Sequence, residues 1–200
     1  FWYTKAANQG LAKAQYNLGV SYDKGEGVAK DHKIAAQWYR KAADQGDSDA
    51  QYNLGVAYEQ GQGVSADSVQ AQAHYLTAAQ AGIAQAQHNL GACFFHGRGV
   101  ATDKAQALSW YAVAAAQGLA LSQFALGAMY LDGDGVDADP VAALSWFLMS
   151  AAQDHAPSIL VIKRLVSTLP DEDVAQAGRL AEQFPAQWAA AKQAMRQARH

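Results

Sequence analysis

A pair of large side chains recurs every 36 residues along this chain: Trp2-Tyr3, Trp38-Tyr39, His74-Tyr75, Trp110-Tyr111 and Trp146-Phe147. Leu-Gly keeps the same step at Leu18-Gly19, Leu54-Gly55, Leu90-Gly91 and Leu126-Gly127. So do the glycine pairs Gly25/Gly27, Gly61/Gly63, Gly97/Gly99 and Gly133/Gly135, each followed by a valine (Val28, Val64, Val100, Val136). Asp31, Asp67, Asp103 and Asp139 complete the register. A fixed period held at many independent positions is the mark of a repeat architecture. Each unit must then be a small element that hides its apolar face only against its neighbours.

The local chemistry makes each unit two helices. The spacing of Ala14, Leu18 and Tyr22 predicts a first helix, A, over about Ala12–Lys24. Gly25 supplies the left-handed conformation that stops a helix cheaply. Gly27 allows a second sharp turn, and Val28 is placed to plug the gap between helices. A second helix, B, is expected after Asp31, whose carboxylate can accept orphan backbone N–H groups. Pro140, directly after Asp139, supports that start, because proline suits the first helical position. Helix B carries Ala35, Trp38 or Tyr39, and Ala42, and is expected to end near Gly46, with Gly82 and Gly118 equivalent. Asp154 stands at the fifth such place, so the pattern decays there. Gly19 is expected to let a neighbouring helix approach closely, with Trp38, Tyr22 and Leu18 filling between the small residues.

Segments such as AQYNLGVAYEQGQGV and AAQWYRKAADQG resemble Sel1-like repeats, relatives of the tetratricopeptide repeat with a longer Gly-x-Gly-Val loop. The resemblance implies an all-α fold: a right-handed α/α superhelical solenoid of helix-turn-helix repeats with a C-terminal helical cap. In this register residues 1–10 end a truncated preceding repeat. Residues 11–46, 47–82, 83–118 and 119–154 are full repeats, and 155–200 are capping helices. It further implies a bacterial scaffold or adaptor for proteins. A structural subunit of a bacterial envelope or secretion-related assembly is the alternative, and a β-lactamase-like hydrolase a third reading. The compartment stays open between periplasm or secretion and cytoplasm.

Composition narrows the classes. Half of the 200 residues are apolar and 16% are charged, enough for a packed core. A net charge of −3 supplies no basic stripe for nucleic acid. The apolar runs are too interrupted for membrane insertion. One cysteine, Cys93, excludes an internal disulfide and a cysteine zinc cluster, and no cofactor is expected.

The two ends differ from the middle. Phe1-Trp2-Tyr3 falls within a helix B, so an open apolar N-terminal face is expected, suited to self-association. Beyond Asp154, Ile159, Ile162 and Val166 keep the helix A spacing, but Leu-Gly has become Ile162-Lys163. Asp171 to Phe184 reads as an amphipathic helix with acids in its first turn. Pro185 precedes a last helix with Trp188 and Met195, followed by the basic Lys192, Arg196, Arg199 and His200.

By analogy with tetratricopeptide geometry, helices A line a concave groove. Its expected lining steps through Tyr16, Asn17, Val20 and Asp23; Tyr52, Asn53, Val56 and Glu59; His88, Asn89, Ala92 and Phe95; and Phe124, Ala125, Ala128 and Leu131. An asparagine ladder can donate to and accept from an extended peptide backbone, and aromatic side chains anchor partners. The same asparagines could instead bond the neighbouring repeat and hold the stack. A protein or peptide partner is expected.

Other chemistry is poorly supported. His74 and His88 break the repeat, yet no metal-ligand spacing accompanies them. Asp132-Gly133-Asp134-Gly135-Val136-Asp137-Ala138-Asp139 approaches a calcium loop, but Val136 holds the third ligand place and no Glu closes it. The Gly-x-Gly loops follow a helix, not a strand, and lack a nucleotide fingerprint. No catalytic residue and no metal ligand is expected, and Cys93 reads as an inert thiol.

Overall fold

The computed structural model describes residues 2–182. Phe1, the side chains of Trp2 and Tyr3, and everything from 183 onward lie outside the described residues. The expectations for an open N-terminal face, and for Phe184, Pro185, Trp188, Lys192, Met195, Arg196, Arg199 and His200, fall there. The described residues form helices and connecting turns, without a strand among them. The chain divides into two compact units, Phe1–Thr102 and Asp103–His200.

The first unit holds α1 (Trp2–Asn8), α2 (Ala12–Lys24), α3 (His32–Ala43), α4 (Ser48–Gln60), α5 (Ser68–Gln80) and α6 (Ala84–His96). Each of these packs on the next in sequence. The second holds α7 (Lys104–Ala116), α8 (Ala120–Asp132), α9 (Pro140–Ala151), α10 (Ala156–Thr168) and α11 (Asp171–Ala181). There α9 is the centre: α8, α10 and α11 all pack on it. Its Ala143, Leu144, Phe147, Leu148 and Met149 are buried, in keeping with a helix that is apolar nearly all round.

Helix ends obey the expected chemistry. Gly25, Gly61, Gly97 and Gly133 close α2, α4, α6 and α8 in the left-handed conformation. Asp31 accepts from the Ile34 N–H at 3.0 Å, and Asp67, Asp103 and Asp139 cap α5, α7 and α9 in the same way. Each such cap is worth about 1 kcal/mol. The loop between the helices of a hairpin is tied shut by the backbone bond from Asp31 N–H to Tyr22 C=O, 2.9 Å, with Asp67 to Tyr58 and Asp139 to Tyr130 equivalent.

The core departs from the expectation in which aromatic it buries. Tyr39, not Trp38, is the closed-off member of its pair, at 3% exposure. Trp38 is half-buried with the Lys41 ammonium 4.1 Å over its ring. Gly19 decides this. A Cβ there would stand 2.6 Å from the Tyr39 ring, so the glycine makes room for an aromatic side chain more than for a helix backbone. Gly55 receives Tyr75 and Gly127 receives Phe147 in the same manner.

The second loop glycine has a role that its turn geometry does not reveal. A Cβ on Gly63 would lie 2.0 Å from the His32 carbonyl oxygen, and one on Gly99 the same distance from that of Ser68. The loop of one hairpin is thus seated on the first turn of the preceding helix B. At Asp154 the backbone keeps its left-handed turn without a glycine, at φ 58°, where Gly46 and Gly82 have 87° and 92°.

Candidate functional site

The expected groove residues all sit on the A helices. Tyr16, Asn17, Val20 and Asp23 lie on α2, and Tyr52, Asn53, Val56 and Glu59 on α4. His88, Asn89 and Phe95 lie on α6, and Phe124 and Leu131 on α8. Each is half-buried, neither core nor free surface. Ala125 and Ala128 are half-buried too, whereas Ala92 is buried.

In the first unit these side chains are joined by a repeated polar arrangement. The rings of Tyr16 and Tyr39 stand 6.1 Å apart at 38°, and those of Tyr52 and Tyr75 stand 6.1 Å apart at 37°. The Asn53 amide lies close enough to the hydroxyls of Tyr16 and Tyr39 to lower their pKa slightly against the larger effect of burial. Asn89 does the same for Tyr52 and Tyr75. Each asparagine therefore reaches back onto the preceding hairpin. Burial holds all four tyrosine hydroxyls above their ordinary pKa, so they remain protonated at neutral pH.

The second unit repeats this geometry without the polar groups. Phe124 and Phe147 occupy the two tyrosine positions, with ring centroids 5.4 Å apart, and Val161 the asparagine position. Val161 and Phe124 pack against the core around α9. At this register the amide and both hydroxyls are absent together, whereas Tyr111 keeps its hydroxyl at the register where Ala125 replaces the asparagine.

Two further devices escaped the sequence reading. Gln15, Gln51, Gln87 and Gln123 recur with the repeat, and each donates its side-chain amide to a carbonyl at the end of the preceding B helix: Ala7, Ala43, Ala79 and Ala115, at 3.1–3.3 Å. The signal was their fixed period beside an aromatic residue. The other device is a carboxylate relay: Tyr75 donates to Glu59 at 2.8 Å, and Arg98 donates to the other oxygen of Glu59 at 2.8 Å.

A small, open hollow lies at the register of Asp23, between α2, α3 and α4. Asp23, His32, Tyr39, Asn53, Val56 and Gln62 line it, with Ala35, Ala36 and Ala57 behind them. The Asp23 carboxylate lies 2.8 Å from Nδ1 of His32. Three of the residues expected to line a groove, Asp23, Asn53 and Val56, thus border one concavity.

The repeat-breaking histidines have structural neighbours. His74 Nδ1 is 2.6 Å from the Gln51 side-chain oxygen, and its ring stacks on Tyr58 at 5.5 Å. Its first partner is an amide, not an orienting carboxylate. Burial lowers the pKa of both His74 and His88, with Arg40 and Arg98 respectively adding to it. Burial pushes the Cys93 thiol up to about 11. Among the described residues no three His, Cys, Asp or Glu side chains gather as a metal site. A Ser-x-x-Lys spelling does occur, Ser21-Tyr22-Asp23-Lys24, at the end of α2 with Lys24 exposed. The Ser-Asp-Asn and Lys-Thr-Gly partners that such a hydrolase centre requires are missing from the sequence. Among the described residues no helix is long and apolar enough to cross a membrane.

Comparison with known proteins agrees with this architecture. A search of curated sequences gave no significant match. Among solved structures, a protective antigen present in uropathogenic Escherichia coli strains, displaying an SLR fold, is 37% identical with a TM-score of 0.82 over 92% of this chain. The chain spans 40% of the length of that antigen. A Sel1 repeat protein from Oxalobacter formigenes is 36% identical with a TM-score of 0.75, covering 84% of this chain and 72% of its own. An immunity protein from Pseudomonas aeruginosa, 24% identical with a TM-score of 0.54, covers 94% of this chain and 72% of its own and shares the fold. The Sel1 repeat model matches residues 1–11, 12–47, 48–83, 84–119 and 120–155. This chain belongs to the Sel1 repeat family.

Proposed function

We propose that the chain is a binding scaffold, not an enzyme, and that it holds an extended segment of a protein or peptide along the A-helix side chains. The observation that carries this reading is the hollow beside Asp23, where a carboxylate, amides and apolar walls converge on one concavity along that row. Half-buried tyrosine, valine and phenylalanine side chains on either side of it offer contact area at low entropic cost. The row is mostly neutral, so affinity would come from apolar contact and directed hydrogen bonds more than from long-range attraction.

The test is capture of a partner by the wild-type protein and by Val56→Glu and Phe95→Glu variants. Both positions are half-buried on the row. Val69→Glu, at a position 60% exposed on a B helix, is the control. With helicity and melting temperature preserved, binding should fall at least about ten-fold in the two row variants, equivalent to about 1.4 kcal/mol, and stay unchanged in the control. Equal binding by all three would remove the groove reading.

A further inference from the structure

The two hairpin registers of the first unit carry the same five positions with different side chains. In one register Glu59, Ser68, Tyr75, Asn89 and Arg98 stand together; in the other, Asp23, His32, Tyr39, Asn53 and Gln62. The aromatic and amide members are alike in both, down to the asparagine on the tyrosine hydroxyl. The carboxylate and its loop neighbour are not.

At the Glu59 register the protein supplies its own cation. The Arg98 guanidinium comes from the next loop and donates to Glu59, whose other oxygen takes the Tyr75 hydroxyl. At the Asp23 register the carboxylate is one methylene shorter, and the loop residue is the shorter, neutral Gln62. The open hollow lies there, with Asp23 and Gln62 both on its wall. Asp23 uses one oxygen toward His32 and keeps a side-chain exposure of 38%. An ionised carboxylate offers about four acceptor sites, more than one histidine consumes.

We propose that this hollow is a guanidinium slot, filled by an arginine side chain of the bound partner in the place that Arg98 takes at the next register. The inference rests on the scaffold reading for its source of arginine. The chemistry of the walls fits the ligand. Asp23 and the Gln62 side-chain oxygen accept from the planar N–H fork, and Val56, Ala35, Ala36 and Ala57 cover the aliphatic stem. A lysine ammonium would present a compact, strongly hydrated charge to the same walls, without the planar fork of a guanidinium.

The slot can be tested with a probe that needs no knowledge of the partner. Nα-acetyl-arginine methylamide is titrated into isotope-labelled protein, with the side-chain amide signals of Asn53 and Gln62 followed by NMR. Saturable shifts of both signals are expected with the arginine probe. The isosteric neutral citrulline analogue, and the lysine analogue, should bind at least about ten-fold more weakly, the scale of a charged hydrogen-bonded contact. Asp23→Asn should lose affinity by a similar factor. Gln62→Arg, which installs the internal cation, should abolish probe binding while the protein stays folded by circular dichroism. Citrulline or lysine matching arginine, or arginine binding unaltered by both substitutions, would overturn the proposal. Loss of the arginine response with partner capture still dependent on Phe95 would remove the slot and leave the scaffold. An arginine response without that dependence would instead remove the scaffold reading and the partner as the source of arginine.

Discussion

Tyr75 lies over Gly55 so closely that a Cβ on the glycine would stand 2.7 Å from two of its ring carbons. Tyr75 is fully buried, and its hydroxyl is held by Glu59, so the ring has no free direction in which to move. Gly55→Ala would gain about 1 kcal/mol of helix propensity and lose more to overpacking, which costs about 1–3 kcal/mol. The expected net effect is a lower melting temperature, read by circular dichroism. A Gly55→Ala, Tyr75→Leu double variant should not show the sum of the two single losses, because the clash is shared between the two positions.

Asn89 offers a sharper test of how adjacent hairpins are held. Its amide lies beside two tyrosine hydroxyls that belong to the hairpin before it. Asn89→Ala should cost about 1–3 kcal/mol, because buried polar groups lose a partner. Asn53→Ala should behave alike, through Tyr16 and Tyr39. If these variants melted like the wild type while partner binding fell, the asparagines would belong to the ligand and not to the stack.

The ease with which different parts could be read from the sequence follows from how local their causes are. The end of α2 at Lys24 depends on Gly25, and the start of α3 depends on Asp31, so both were legible from neighbouring letters. The choice between Trp38 and Tyr39 was not, because both fall in the apolar arc of one helix. A missing Cβ on the opposite helix, at Gly19, settles it. The glutamine row was passed over because a polar side chain in a helix reads as solvated until its carbonyl partner is seen. The hollow was illegible for a similar reason. It lies where Asp23 and Gln62 stand in the places that Glu59 and Arg98 take at the next hairpin. The row of A-helix positions came from the period together with the tetratricopeptide analogy.

Asp154 keeps a left-handed backbone at φ 58°. Residues with a Cβ pay about 1–2 kcal/mol there, less for Asp, which can bond locally. Asp154→Gly should relieve part of that strain and raise the melting temperature by a few degrees. A fall would mean that the Asp154 side chain contributes more than its backbone costs.

Acid should weaken the fold through its buried histidines. Burial lowers the pKa of His74, His88 and His155 below the usual 6.5, with Arg40 adding to His74 and Arg98 to His88. The unfolded chain then binds more protons than the folded one just below that value, so stability rises with pH in this window. The contribution is fully present above about pH 6.5 and is lost as pH falls through the lower folded-state values. Chemical denaturation at about pH 7.5 and about pH 5.5 should show the midpoint dropping, with a smaller drop in His74→Gln. A flat profile would contradict the buried, neutral state of these rings.

The seating of Gly63 on the His32 carbonyl, and of Gly99 on that of Ser68, leaves no space for even one methyl group. Inserting or deleting a few residues in such a loop would lift it off its seat and unmake the contact on both sides. Whole hairpins carry their seats with them. An array built this way can change in length only by complete modules, and a lineage or a designer extending it would count in steps of one period.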